Sequence, residues 1–142
     1  MYGISNKIFS RLQVVQNQAA KLIVGGLKFD YASPILKNLH WLPMRQRILF
    51  KLGVMVYKCL NGLVPKYLSD KCVKVSSRPF GKCLRSVDIN TLFIRNRNLK
   101  IADRDFEVAA PLFWNSLPSH LRQRGLTLFE FKRGLKTHLF DN

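Results

Sequence analysis

A chain of 142 residues can bury one core of ordinary size and leaves little room for two independent domains. With 47% hydrophobic residues, 10 Phe, 4 Tyr and 2 Trp among them, it has the material for that core, which argues against disorder along its whole length. Lys and Arg number 24 against 8 Asp and Glu, so the formal net charge is +16 and the chain attracts polyanions.

Nucleic acid is the commonest partner for a cationic domain of this kind, and an anionic membrane is the rival. No run approaches the roughly 18 consecutive apolar residues that span a bilayer. The most apolar stretch, Ile48 to Leu63, is broken by Lys51, Lys58 and Asn61. Met1 to Ser10 also lacks the charged start, apolar centre and small-residue cleavage site of a secretory leader. The expectation is an intracellular protein, in the nucleus or a cytoplasmic ribonucleoprotein, with no membrane contact. Cys59, Cys72 and Cys83 are widely spaced and cannot all pair, so reduced thiols are expected. His40, His120 and His138 stand apart from them, and no C-x-x-C or H-x-x-x-H pair presents two ligands from one local turn. No metal and no cofactor is therefore expected.

From about residue 6 to 24, Ile8, Leu12, Val15, Ala19 and Leu22 recur at steps of four and three, which puts them on one face of an amphipathic helix. Arg11, Gln13, Gln16, Asn17, Gln18 and Lys21 fill much of the remainder, and Gly25-Gly26 ends the helix. Ser33-Pro34 has the form of an N-cap followed by proline, predicting a short helix through Ile35, Leu36 and Leu39. Pro43 then opens the longest helical pattern, residues 43–61, with Ile48, Leu49, Leu52, Met55, Val56, Cys59 and Leu60 on a broad face. Asn61-Gly62 stops it, and Pro65 starts another turn or two through Tyr67 and Leu68.

Between about residues 71 and 104 Ser76, Ser77, Pro79 and Gly81 mark a loop. Arg78, Lys82, Arg85, Arg95, Arg97, Lys100 and Arg104 make it strongly basic, with only Asp88 and Asp103 against them. Thr91 to Ile94 favours a strand, leaving open a short β-hairpin with Leu99 to Ala102 near residues 91–102. Helical character returns over 105–115, with Pro111 expected to kink or shorten that helix. Thr127 and Glu130 have capping-box spacing at the head of a basic amphipathic helix, residues 127–140, in which Leu128, Phe131, Leu135 and Leu139 share a face. The fold class expected is mainly α: a small irregular helical bundle, one domain over residues 1–142, built around the 43–61 helix.

The segments LQVVQNQAAKLIVG at 12–25, HWLPMRQRILFKLGVMVYKCLNGLVPKYLSD at 40–70, DRDFEVAAPLFWNSLPSHLR at 103–122 and FEFKRGLKTHLF at 129–140 follow one another in an order that resembles a known family. Their succession is similar to the C-terminal region of reverse transcriptases from jockey-like, LINE-type non-LTR retrotransposons, over almost the whole chain. The resemblance implies an accessory region that follows the thumb of an RNA-directed DNA polymerase, with the catalytic Tyr-x-Asp-Asp turn lying upstream. The present sequence has no adjacent aspartates, and polymerisation needs carboxylates that bridge two metal ions. Asp103 and Asp105 are the closest pair, and at a helix entrance they suit its positive N-terminus. The chain alone is thus expected to be no enzyme and to have no catalytic residues.

Phosphate contact is assigned to the loop cations Arg78, Lys82, Arg85, Arg95, Arg97, Lys100 and Arg104, to Arg45 and Arg47 at the start of the central helix, and to Lys132, Arg133 and Lys136 near the end. A merely solvated surface is the bland alternative for each. Trp41 and Trp114 are read as core residues, with base stacking as the alternative. His40 lacks a nucleophile or carboxylate partner in sequence, so a general-base role has no support. The expected partners are the backbone of RNA or DNA and the upstream polymerase domains of a full-length protein. Two other functional readings are a module docking on the polymerase thumb and an inert remnant of a truncated element.

Overall fold

The computed structural model of the chain describes residues 6–27, 29–77, 90–94 and 105–141. Among the described residues six α-helices follow in order: α1 (Asn6–Val24), α2 (Ala32–Asn38), α3 (Met44–Leu60), α4 (Lys66–Ser69), α5 (Phe106–Ser116) and α6 (Leu128–Asp141). The mainly helical bundle expected from the sequence is what forms. Helix α3 is its hub, packing on α1, α4, α5 and α6.

The ends of α1, α2 and α3 repeat one device. Gly26, Trp41 and Leu63 donate their main-chain N–H to Lys21, Leu36 and Lys58 respectively, each bond closing the last turn onto a residue in the left-handed region. That residue is Gly25 (φ 66°) after α1 and Gly62 (φ 68°) after α3, but His40 (φ 54°) after α2, where a side chain occupies a conformation that favours glycine. Helix α2 also begins earlier than Ser33-Pro34 suggests. Tyr31 is its N-cap, with no side-chain cap, and Pro34 sits within the first turn, where a missing N–H leaves no helical bond unmade.

The main correction concerns α1. Its Ile8, Leu12, Val15, Ala19 and Leu22 face is exposed, and the residues buried are Phe9, Gln16 and Ala20. The start of α3 supplies the reason. Pro43, the N-cap of α3, has no side chain able to accept from the helix's first N–H groups. Gln13 performs that task from α1, its Oε1 accepting from Met44 N at 2.8 Å. One turn on, Gln16 Nε2 donates to the Leu42 carbonyl at 2.9 Å. Buried polar groups must be satisfied, so α1 turns its glutamine stripe inward.

The core lies between α3, α5 and α6. Tyr57 stacks on Phe131 with ring centroids 4.7 Å apart, and Trp114 meets the same Phe131 ring at 5.7 Å. Leu135, Val56, Leu121 and Leu139 close around them. The buried face of α3 is rotated from the one read in the sequence: Gly53 and Tyr57 lie inside, whereas Met55 is exposed. Gly53 admits α5 and α6 so closely that a Cβ there would lie 2.8 Å from both Phe113 Cε1 and Leu135 Cδ2.

Helix α5 runs through Pro111, which is itself buried, and is N-capped by Asp105, whose carboxylate accepts from Glu107 N at 3.2 Å. The strand-like residues 91–94 pair with residues 73–75. Leu92 forms an isolated antiparallel bridge with Lys74, through Val75 N to Thr91 O (3.0 Å) and Phe93 N to Val73 O (2.8 Å). Asn115 serves the main chain of Leu92 itself, accepting from its N–H at 2.9 Å and donating to its carbonyl at 2.8 Å. Leu99 to Ala102, the expected second strand, lies outside the described residues.

Candidate nucleic-acid interface

Of the cations assigned to phosphate, Arg78, Lys82, Arg85, Arg95, Arg97, Lys100 and Arg104 lie outside the described residues. The remaining five occupy two helices. On α3, Arg45 is exposed but engaged: its Nη2 donates to Asn6 Oδ1 at 2.8 Å, and its guanidinium sits 5.5 Å from the Phe9 ring centroid. It therefore fastens α1 to α3, by a hydrogen bond and a cation–π contact, and has fewer N–H groups left for an anion. Arg47, two residues on, is exposed.

Helix α6 carries the other three. Its capping box is made as the sequence predicts: Glu130 N donates to Thr127 Oγ1 at 3.2 Å, and the Glu130 carboxylate accepts from Thr127 N at 2.8 Å and Oγ1 at 2.7 Å. The main-chain N–H of Thr127, then its hydroxyl, hold the Glu130 carboxyl below the usual carboxylate range. With Phe131, Leu135 and Leu139 buried, Lys132 and Arg133 are exposed and Lys136 is half-buried.

Steps of three and four bring Lys132, Arg133 and Lys136 onto the same outward face as Phe129, which is 74% exposed. An exposed aromatic ring among three cations suits a single strand, the ring for a base and the cations for phosphates. Sequence reasoning missed Phe129, although its offset from the Leu128, Phe131, Leu135 stripe was a usable signal. Arg133 also borders an open groove of about 430 Å³ whose wall includes Glu130 and Asp141. Those carboxylates oppose an anion, so the cationic side of α6 is the one carrying Lys132 and Lys136.

Trp114 takes the core role expected, whereas Trp41 does not join the core cluster. Trp114 is 3% exposed and donates from Nε1 to the Asn90 carbonyl at 2.9 Å, which removes its ring from any incoming base. Trp41 is half-buried. His40 is exposed, with Nδ1 3.1 Å from the Asn38 carbonyl oxygen. Cys59 and Cys72 are both free thiols, buried and in mutual contact. Burial pushes the Cys72 thiol up to about 12, and raises Cys59 as well. Neither has the lowered pKa of a nucleophilic cysteine. Among the described residues no cluster of His, Cys, Asp and Glu could hold a metal ion, and no helix is long and apolar enough to cross a membrane.

No protein-family model, curated protein or solved structure matches the chain.

Proposed function

We propose that the chain is a non-catalytic accessory domain that holds the phosphate backbone of RNA or DNA for a larger reverse-transcriptase-like polymerase. Charge arithmetic carries the nucleic-acid part. If each of the 8 carboxylates neutralised one cation, 24 − 8 would still leave 16 without an internal counter-charge. Each phosphate met by such a cation releases condensed counterions, which makes the contact favourable at low salt and independent of base sequence. Exposed Arg47, Lys132 and Arg133, with Phe129 between cations on α6, support this placement. The polymerase context rests on the order of the four sequence segments, and the non-catalytic reading on the absence of adjacent aspartates.

Fluorescence anisotropy with labelled single-stranded RNA and duplex DNA, across a salt series, tests the proposal. Affinity for duplex should fall steeply, with a logarithmic slope of about 0.9 per phosphate neutralised. Charge reversal at Arg95, Arg97 and Lys100 should weaken every sequence alike, as should reversal at Lys132, Arg133 and Lys136. Absence of binding at low salt would refute nucleic-acid contact, and nucleotide incorporation by the chain alone would refute an accessory role.

A further inference from the structure

Helix α1 leaves a second surface that phosphate binding does not use. Its residues fall into three adjoining stripes. Phe9, Gln13, Gln16 and Ala20 face the body of the protein, and Gln16 and Phe9 are bonded or packed there. Next to them runs the seam of Ile8, Leu12, Val15, Ala19 and Leu22, in which Ile8 is 51%, Leu12 40%, Val15 66% and Leu22 84% exposed. One residue behind each lies a third stripe of Lys7, Arg11, Val14, Gln18 and Lys21, in which Val14 is exposed and Lys21 half-buried.

The seam has alternating four- and three-residue steps over two heptads, the spacing that knobs-into-holes packing requires. Monomeric proteins rarely leave a continuous apolar stripe of this length in water. Its small member, Ala19, lets another backbone approach closely, and its span of roughly 20 Å fits about four turns of a partner helix.

We infer that α1 is a docking helix for an amphipathic helix of another polypeptide, whose apolar seam is flanked by carboxylates. Charge selects this occupant. No Asp or Glu occurs in α1, while exposed Lys7 and Arg11 line one edge of the seam. A partner lying against the seam meets those cations with one flank, and acidic residues there are attracted in a register that basic ones would disrupt. A second copy of this chain fits worse, because it brings the same cationic stripe and a further +16 to the interface. A lipid surface fits worse too, because an interfacial helix buries a broad apolar face, and here the neighbouring stripe is already committed to the body. This docking goes beyond the nucleic-acid reading and does not depend on it.

Three synthetic three-heptad helical peptides test it against the full chain by anisotropy. The first has Leu at the seam positions and Glu on the flanks; the second has Lys on the flanks; the third keeps Glu but has Ser in the seam. At about 150 mM salt, where long-range attraction is screened, the first should bind about tenfold or more tighter than the others. The charge-neutral double variant Val15→Ser, Leu22→Ser should lose about tenfold for that peptide. Both positions are solvent-exposed, so its thermal melt and its RNA affinity should match the parent. Equal binding of the first and third peptides, equal binding by the double variant, or no binding of the first peptide overturns the proposal. So does a concentration-dependent dimer, or uptake by phosphatidylserine vesicles, that the double variant abolishes.

Discussion

Gln16 on α1 and Leu42 in the loop before α3 are joined by a side-chain to main-chain hydrogen bond of 2.9 Å, buried from solvent. With Gln13 on Met44 N, it makes the attachment of α1 as much polar as apolar.

Replacing Gln16 with Ala should therefore cost more than the loss of a few apolar contacts. The Leu42 carbonyl loses a buried donor, and an unsatisfied buried group of this kind costs about 1–3 kcal/mol. Urea denaturation should show a loss in that range. Hydrogen exchange should localise it, with the amides of α1 losing protection while those of α6 keep theirs. Uniform loss across both helices would show that α1 is not anchored here.

Gly53 on α3 sets the approach of α5 and α6. An alanine there gains about 1 kcal/mol of helix propensity, yet its Cβ would lie 2.8 Å from two buried side-chain atoms. Overpacking of a filled core costs about 1–3 kcal/mol, so Gly53→Ala should lower stability on balance. A higher melting temperature in the variant would mean that Phe113 and Leu135 can step aside freely.

At the head of α6, Thr127→Ala removes the hydroxyl that accepts from Glu130 N and donates to the Glu130 carboxylate, leaving that carboxylate only the main-chain N–H of residue 127. Loss of such a cap costs about 1 kcal/mol, measurable by chemical denaturation. Because the Glu130 pKa is lowered in the folded chain, its contribution is present above the ordinary carboxylate range and is lost as pH falls through the lowered value. A Glu130→Gln chain should consequently show a shallower acid limb, and an unchanged limb would dismiss the linkage.

The Cys72 thiol carries the opposite sign. Burial, then the adjoining Cys59 thiol, raise its pKa from an ordinary 9.0 to about 12. Its neutral form is favoured by folding, so the contribution is complete below pH 9.0 and disappears as pH climbs toward 12. Stability measured across that interval should fall less steeply for Cys72→Ala than for the parent, whatever the offset between them. Parallel curves would place the alkaline loss elsewhere.

Helix positions and ends were legible in the amino acids because local signals set them: the 3.6-residue periodicity of α3 and α6, the Thr127–Glu130 cap, and the glycines after α1 and α3. Net charge, a sum over side chains, needed no fold at all. What periodicity could not tell was which side of α1 meets the body. Its apolar stripe and its glutamine stripe are both regular, and the choice fell to the proline at the N-cap of α3, whose helix start had to find an acceptor on another element. The partner of residue 92, the stacking of Tyr57 on Phe131 and the exposure of Phe129 were likewise decided by contacts distant in the chain. Local propensity determines that a helix forms; only tertiary packing, by satisfying buried polar groups first, determines which of its faces remains for a partner.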